Sequence, residues 1–520
     1  MNPLLLTDGY KLSHREQYPL GTTKVYSNWT PRKSRIKGID KIVNFGTQYV
    51  IKKIVEDFEK YFFSQQKDYT CNHYKKIVEN YLGCEYDVSH IEDLHDLGFL
   101  PLEIKSLDEG VLVPMRVPTF TIVNTNPKFF WLVNYLETLF SCMIWQPMTS
   151  ATIAFEYRKL FENWAKTTGC KANIIKGLLT NVDIQGHDFS MRGMGGSESA
   201  ILSGIGHSTS FKGSDTLPIM EALSNYYDAV DEFKVCTVPA TEHSVMCAGS
   251  KDGEFETFKR LVTETYPNGI VSIVSDTWNL WTVLTNFLPR LKNEIMVRNG
   301  KVVIRPDSGD PVDIICGLEF KEGFSIKNRD NKKVEINNTN CTSKEVDNAQ
   351  IKGVVELLWD VFGGTTVVGA DGRTYKVLDS HIGCIYGDSI TLDRADEICS
   401  RLAKKGFAST NWVAGIGSFT YQYNTRDTFG FAMKATYVEI NGEGREIFKD
   451  PITDDGTKKS ARGLLAVFKN DATGDYELYD QVNLEQEKNN QLKTVFKDGI
   501  FSNKCSLSDI RKRINESFNN

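Results

Sequence analysis

Between residues 175 and 420, short apolar runs repeatedly stop at small polar or acidic residues and give way to helical spacing. No other feature narrows the fold as far. Ile270-Val271-Ser272-Ile273-Val274 stops at Ser275-Asp276, and helical spacing follows from Trp278 to Leu288. Val302-Val303-Ile304 stops at Arg305-Pro306-Asp307-Ser308-Gly309, and Ile382-Gly383-Cys384-Ile385-Tyr386 stops at Gly387-Asp388-Ser389. There Ser389 or Thr391 can cap a helix running to Lys405 and stopping at Gly406. Such units predict parallel strands with crossover helices, and a site at the carboxyl ends of the strands.

At 520 residues the chain exceeds what one core normally serves, so two domains or one elaborated barrel is expected. Ile51 to Phe63 reads as a surface helix, and Leu102 to Val123, with prolines at 114 and 118, as strands. Phe129 to Trp145 is the richest apolar stretch, but Asn134 and Glu137 make it a buried core helix rather than a membrane span. Residues 319–350 read as a charged surface excursion, and 435–520 as mixed strand and turn with a short basic helix near Ile510 to Ile514. A net charge of −6 argues against nucleic acid as the main partner, yet leaves room for a local basic cluster facing a small anion. Eleven scattered cysteines without a CxxC pair argue against a disulfide framework or structural zinc. The start, Met1 to Asp8, has no basic residue and only three leucines, unlike a signal peptide, so a cytoplasmic protein is expected.

Asp188, Asp215, Glu242, Asp276, Asp307 and Asp388 follow strand-like or turn segments, as do Arg192 and Arg305. Carboxylates at a barrel mouth can hold ribose hydroxyls or Mg²⁺, and arginines suit phosphate. Each alone can equally be a helix cap or ion pair; it is their number at strand ends that favours a site. Trp412 to Phe419 is a strand entering a Gly-rich turn whose N–H groups could cradle phosphate, and the absence of a Walker A sequence disfavours a P-loop enzyme. His243 follows Glu242, and a neighbouring carboxylate can orient an imidazole, although a lone histidine is more often structural. His187, beside Asp188 and Phe189, suits a supporting place. Arg426 and Lys434, then Lys458, Lys459 and Arg462, form a basic set whose plain reading, for Lys458 and Lys459, is a solvated face.

Taken together, six segments in order resemble the nicotinamide phosphoribosyltransferase family over most of the chain. They are Leu5-Leu6-Thr7-Asp8-Gly9-Tyr10-Lys11, His187-Asp188-Phe189-Ser190-Met191-Arg192-Gly193, Phe211-Lys212-Gly213-Ser214-Asp215-Thr216, Pro239-Ala240-Thr241-Glu242-His243-Ser244, Val274-Ser275-Asp276 and Ile304-Arg305-Pro306-Asp307-Ser308-Gly309, with Thr425-Arg426-Asp427 beyond them. The resemblance implies a type II phosphoribosyltransferase fold, an incomplete parallel α/β barrel (151–420) with a second, mixed α+β domain built from both chain ends (1–150 and 421–520). It implies a homodimer with shared active sites, nicotinamide, phosphoribosyl pyrophosphate and ATP as ligands, and Mg²⁺ held mainly by pyrophosphate, so that no metal ligand is assigned to the chain. The implied product is nicotinamide mononucleotide, made for NAD biosynthesis.

By the same resemblance, Phe189 and Tyr10 of the partner subunit sandwich the pyridine ring, with Asp8 beside Tyr10. Asp215 accepts from the carboxamide NH₂. Arg305 reaches the amide and ribose side, Asp307 and Asp388 hold ribose hydroxyls, Gly417 and Ser418 hold the 5′-phosphate, and Arg192, Arg426, Lys434 and Arg32 gather phosphate oxygens. His243, oriented by Asp276 and Glu242, is phosphorylated by ATP, and Asp307 completes the catalytic set. The chain departs from the family in two places. Gly415-Ile416-Gly417-Ser418-Phe419 puts a side chain where the phosphate turn is Gly-rich, and Met191 stands where an aromatic is common. Two other readings are a nicotinate phosphoribosyltransferase, disfavoured because Asp215 would face a like charge, and a catalytically silent nucleotide sensor.

Overall fold

The computed structural model describes residues 1–175, 179–319, 324–329, 332–337, 343–387, 389–449, 452–453 and 460–518. Its functional half is a six-stranded sheet. In chain order the strands are β1 (Gly186–Asp188), β2 (Gly213–Ser214), β3 (Asn268–Val274), β4 (Asn299–Arg305), β5 (Ile382–Tyr386) and β6 (Trp412–Ile416). Their spatial order is β3-β4-β5-β6-β1-β2, and every pairing is parallel. All six carboxyl ends therefore point to one face. The sheet curls, and the segment between its edges bridges them. Cys236 pairs beside Gly213 of β2, and Ala240 beside Ser272 of β3. Backbone bonds of 2.8 Å (Cys236 N to Lys212 O) and 3.0 Å (Thr241 N to Ser272 O) hold that bridge.

Alternation fixes which side of each strand faces the lumen. In β4, Val302 and Ile304 are fully buried against the surrounding helices, while Lys301, Val303 and Arg305 point the other way and keep partial exposure. Helix Leu392–Lys404 closes one crossover. Its cap is Thr391, whose side chain accepts from Arg394 N, and Gly406 follows with φ of 79°, so the expected start and stop are both found.

The second sheet has seven antiparallel strands drawn from both chain ends. Thr22–Thr30 pairs with Ala432–Ile440 on one side and Phe120–Asn124 on the other, and Leu102–Ser106 pairs with Lys493–Lys497. The apolar stretch at 129–145 opens a helix far longer than its composition suggested, Glu137–Thr167, 31 residues with Pro147 inside. Its first half (Met143, Ile144, Met148) packs in the core of the seven-stranded sheet and its second half (Tyr157, Phe161, Ala165) in the barrel core. Among the described residues no helix is long and apolar enough to cross a membrane.

Within 319–350 the described residues form three antiparallel strands, Phe324–Arg329, Lys332–Asn337 and Ser343–Asp347, and Val346 and Ala349 are buried. The capping box of Asp347 and Gln350 then starts helix Asn348–Phe362.

His207, fully buried on helix Ser197–Ser208, lies behind β2. Its Nε2 is 3.0 Å from the carbonyl of Gly213 and its Nδ1 2.7 Å from the Tyr421 hydroxyl. A carbonyl can only accept, so Nε2 is assigned the hydrogen and Nδ1 accepts from the tyrosine, leaving the ring neutral. Burial pushes its pKa from 6.5 down to about 4, against the pull of nearby Asp188. The fold thus favours the neutral ring. The stability this confers is complete above pH 6.5 and is lost as pH falls from 6.5 to 4. We expect urea unfolding across that window to show an acid loss on the order of 2–3 kcal/mol in the wild type that His207→Gln does not share. Equal pH slopes for the two proteins would refute it.

Candidate active site

β1 ends at Asp188, whose carboxylate has no exposed surface. Its Oδ1 accepts from Ser190 N (2.9 Å) and Ser190 Oγ (2.6 Å), and its Oδ2 from Ser214 Oγ (3.1 Å) and Thr216 Oγ1 (2.6 Å). Four donors saturate it, so Asp188 does not hold ribose or metal. The plainer reading of a strand-end aspartate holds there. The bonds join the turn after β1 to the turn after β2, and Asp215 N adds a 2.9 Å bond to Asp188 O.

That brace places Phe189 and Asp215 side by side. Phe189 has the His187 ring 4.6 Å away and the Arg305 guanidinium 5.2 Å from its centroid. Asp215 Oδ1 takes a 3.0 Å bond from His187 Nε2 and a second bond from Thr237 Oγ1. Burial pushes this carboxyl pKa up, but the His187 bond and charge, the Thr237 bond and the Arg305 charge outweigh it and hold it below 3.8. Asp215 is therefore an anion at neutral pH, and its Oδ2 has no hydrogen-bond partner among the described residues. Phe189 and Asp215 also form the wall between two spaces. One is an open recess with Met191 and Arg192, about 450 Å³, and the other is the barrel lumen, about 380 Å³.

His243 begins helix His243–Ala248, where the bridging segment leaves the sheet. Thr241 sets its position, because Thr241 Oγ1 accepts from Val274 N (2.9 Å) at the end of β3. His243 Nδ1 is 3.2 Å from Thr277 Oγ1, and Nε2 is 4.0 Å from Asp276 Oδ1 and 3.9 Å from Asp307 Oδ2. The imidazole is half exposed, with its carboxylates beneath it. Asp276 Oδ2 accepts from Asp307 N (2.8 Å) and Ser308 Oγ (2.5 Å), which ties the end of β3 to the turn after β4, while Asp276 Oδ1 is buried without a hydrogen-bond partner among the described residues. Arg305 approaches Asp307 at 3.5 Å, and its Nε is likewise buried and unpartnered. Gly387 makes room for both, since a Cβ there would stand 2.2 Å from Asp307 Oδ1 and 3.0 Å from Arg305 Nε.

No hydrogen bond or ion pair joins Glu242 to His243 among the described residues. Its carboxylate accepts from Ser244 Oγ, the hydroxyl two residues on in the same exposed turn. Asp388 lies outside the described residues, as do Lys458 and Lys459. Gly417 caps the short helix Ser418–Tyr421, and Ser418 Oγ packs against Gly193, where a Cβ would stand 2.1 Å away. The side chain that departs from the family pattern is thus matched by a glycine opposite.

The remaining basic residues gather elsewhere on the same chain. Lys434 has Arg32, Lys11 and Arg426 as charged neighbours, with Glu137 as the counter-charge. Its side chain is accessible in the single chain, yet partial desolvation, followed by those cations, holds its ammonium pKa below the ordinary value. Lys11 pairs with Glu137 at 2.6 Å, Arg32 Nε donates to Gly430 O, and Arg426 is half exposed beside Asp427. Asp8, bonded to Thr138 Oγ1 (2.7 Å), and the exposed Tyr10 share this region. No bond or ring contact among the described residues joins this cluster to His243 or Phe189. Thr237, Thr277 and Ser308 were not singled out from sequence. Only their position beside an aspartate or histidine of the site signals them.

A curled parallel sheet with acidic, basic and aromatic groups at its carboxyl ends, beside a sheet drawn from both chain ends, is the architecture of a type II phosphoribosyltransferase. The structure overlays a nicotinate-nucleotide pyrophosphorylase from Pyrococcus furiosus with TM-score 0.55 at 14% identity, covering 100% of this chain and 96% of that one. It overlays human nicotinic acid phosphoribosyltransferase with TM-score 0.53 at 13% identity, covering 98% and 93%. Residues 184–500 match the nicotinate phosphoribosyltransferase (NAPRTase) family, and residues 2–104 match the N-terminal domain of nicotinamide phosphoribosyltransferase. A nicotinamide phosphoribosyltransferase of Acinetobacter baylyi is 48% identical over 527 aligned positions, covering 99% of this chain and 97% of that protein. The chain belongs to the nicotinamide phosphoribosyltransferase family, and is a pentosyltransferase.

Asp276 holds the Arg305–Gly309 turn against β3. Replacing it with alanine leaves Asp307 N and Ser308 Oγ without their acceptor. We expect Asp276→Ala to lose about 2 kcal/mol in urea unfolding, and an unchanged midpoint would show that the turn is held by other contacts.

Proposed function

We propose that this enzyme joins nicotinamide to phosphoribosyl pyrophosphate, forming nicotinamide mononucleotide and pyrophosphate in NAD salvage. The observation that carries the choice of substrate is Asp215. An anion held by His187 and Thr237 beside Phe189 can accept from an amide NH₂, whereas the carboxylate of nicotinate would meet it as a like charge in a partly desolvated pocket. The ring nitrogen attacks the anomeric carbon as the bond to pyrophosphate breaks, through an oxocarbenium-like state. The leaving group takes the growing negative charge.

In this reading Phe189 stacks on the pyridine, Arg305 and Asp307, with Asp388, hold the ribose side, and Gly417 and Ser418 bind the 5′-phosphate. Arg192, Arg426, Lys434 and Arg32 receive phosphate oxygens. The division of these groups into two clusters on one chain supports a homodimer. The cluster of Arg32, Lys434, Asp8 and Tyr10 would complete the site around Phe189 and His243 of the other copy. Mg²⁺ bound mainly to pyrophosphate oxygens would supply positive charge against the leaving group. The buried, unpartnered Asp276 Oδ1 is an oxygen donor of the kind such an ion accepts. In this reading His243 Nε2 takes the γ-phosphoryl group of ATP as the bond to ADP breaks, with Thr277 holding Nδ1 and Asp276 and Asp307 facing Nε2. A cytoplasmic setting fits these soluble substrates.

Mononucleotide formation assayed with either ring should favour nicotinamide at least about tenfold, and Asp215→Asn should narrow that preference. Equal turnover of nicotinate by the wild type would overturn the assignment. His243→Ala should abolish stimulation by ATP while calorimetric affinity for nicotinamide stays within about threefold, because the ring contacts lie on Phe189 and Asp215. Undiminished ATP stimulation would remove His243 from its role.

A further inference from the structure

The last helix, Leu507–Glu516, is anchored in one half of the molecule and reaches into the other. Leu507, Ile510 and Ile514 are buried in the core of the seven-stranded half, and Leu507 N donates to Tyr227 O (3.3 Å). Arg511 reaches out from that anchor. Its Nε and Nη2 donate to Ser208 O (3.0 and 2.8 Å), its Nη1 to Phe233 O (2.7 Å), and its Nη2 also to Lys234 O (2.5 Å). All three partners are carbonyls. No carboxylate pairs with it among the described residues, and Glu232 and Asp183 supply opposite charge only from further away. Burial pulls its pKa down to about 10, so the fork is still charged at neutral pH. A planar guanidinium can span carbonyls from separate segments that a single ammonium could not reach together.

Those carbonyls belong to the two segments that converge on Asp215. Ser208 ends helix Ser197–Ser208, next to His207, which bonds the carbonyl of Gly213 just before Asp215. Phe233 and Lys234 lie on the bridging segment just before Thr237. There Cys236 N donates to Lys212 O (2.8 Å), Ser214 N donates to Cys236 O (3.1 Å), and Thr237 Oγ1 donates to Asp215 Oδ1. Over residues 230–235 the bonds from Arg511 are, among the described residues, the hydrogen bonds that tie this backbone to a distant part of the chain. We propose, on the reading of Asp215 as the amide acceptor, that Arg511 is a positioning residue for ring selection. Its fork holds the bridging segment against the end of helix Ser197–Ser208 and so keeps the Thr237 hydroxyl on Asp215. Without the fork the segment draws back, Asp215 Oδ1 keeps only its bond from His187, and the carboxylate turns more freely. The charge that opposes nicotinate stays, but the amide loses a fixed acceptor. The effect therefore falls on nicotinamide and spares phosphoribosyl pyrophosphate, whose proposed contacts on Arg305, Asp307 and Ser418 receive no bond from Arg511.

Initial rates on the full chain, with each substrate varied in turn, test this. Arg511→Met should raise the nicotinamide KM about tenfold and leave the phosphoribosyl pyrophosphate KM within about twofold. Arg511→Lys, which keeps the charge but not the fork, should raise the nicotinamide KM about threefold. Thr237→Val should match Arg511→Met, and the double variant should add no more than about twofold to either, because both act through one contact. A nicotinamide KM unmoved by both Arg511 variants, an equal rise for both substrates, or fully additive effects in the double variant would each overturn the proposal. If Arg511→Met does not fold, Arg511→Lys, alone and combined with Thr237→Val, decides by the same comparison. If Thr237→Val leaves the nicotinamide KM unchanged, the reading of Asp215 falls and the role of Arg511 with it. If Thr237→Val raises that KM while the Arg511 variants do not, only the role of Arg511 falls.

Discussion

A buried carboxylate with four donors is the constraint on which the ring side of this site depends. Asp188 is ionisable, fully enclosed and one residue from Phe189. Such a group is tolerated only when its oxygens are satisfied, and the donors come from two places, Ser190 after β1, and Ser214 at the end of β2 with Thr216 just beyond it. Loosening either turn would strand the charge. Phe189 and Asp215 therefore inherit a fixed geometry from a residue that need touch no ligand. His207 and Tyr421 extend the brace behind β2, through the carbonyl of Gly213.

The other side of the site is built differently. His243 comes from the bridging segment and Asp276, Arg305 and Asp307 from two strand ends, joined by few, long contacts, with one oxygen and one nitrogen left without a hydrogen-bond partner among the described residues. Groups that are not saturated by the fold are groups that a ligand can engage, so the two sides differ in kind. One presents a finished wall, and the other keeps open valences. The parallel sheet makes the contrast possible, because it delivers six strand ends to one face while each turn keeps its own hydrogen-bond pattern.

Much of this was legible in the sequence. Apolar runs ending in Asp276, Arg305 and Asp307 located the strand ends, and the Thr391 cap and Gly406 stop marked a crossover helix. What the one-dimensional pattern could not give is which neighbouring turn comes within reach. Asp188 and Asp215 look alike as strand-end aspartates, yet one is sealed by hydroxyls 26 and 28 residues away and the other keeps an oxygen without a partner among the described residues. Glu242 stands beside His243 in sequence, but its carboxylate closes on Ser244 instead. Thr237 and Thr277 carry no signal until the strands assemble. Which side of β4 faces the lumen shows only once the sheet curls.

The helix Glu137–Thr167 bears on both halves of the molecule. Its first residue pairs with Lys11 in the basic cluster, and further along Tyr157 hydrogen-bonds the Ile390 carbonyl and lies 3.3 Å from Thr420, just after Ser418. It is a single rod, on the order of 45 Å long, gripped by one core over its first half and by another over its second. The spacing between the basic cluster and the barrel mouth of one chain is thus set by backbone length rather than by a hinge. A ligand of different size meets a gauge of fixed width, and any accommodation falls to side chains at the mouth, such as Met191 and Arg192.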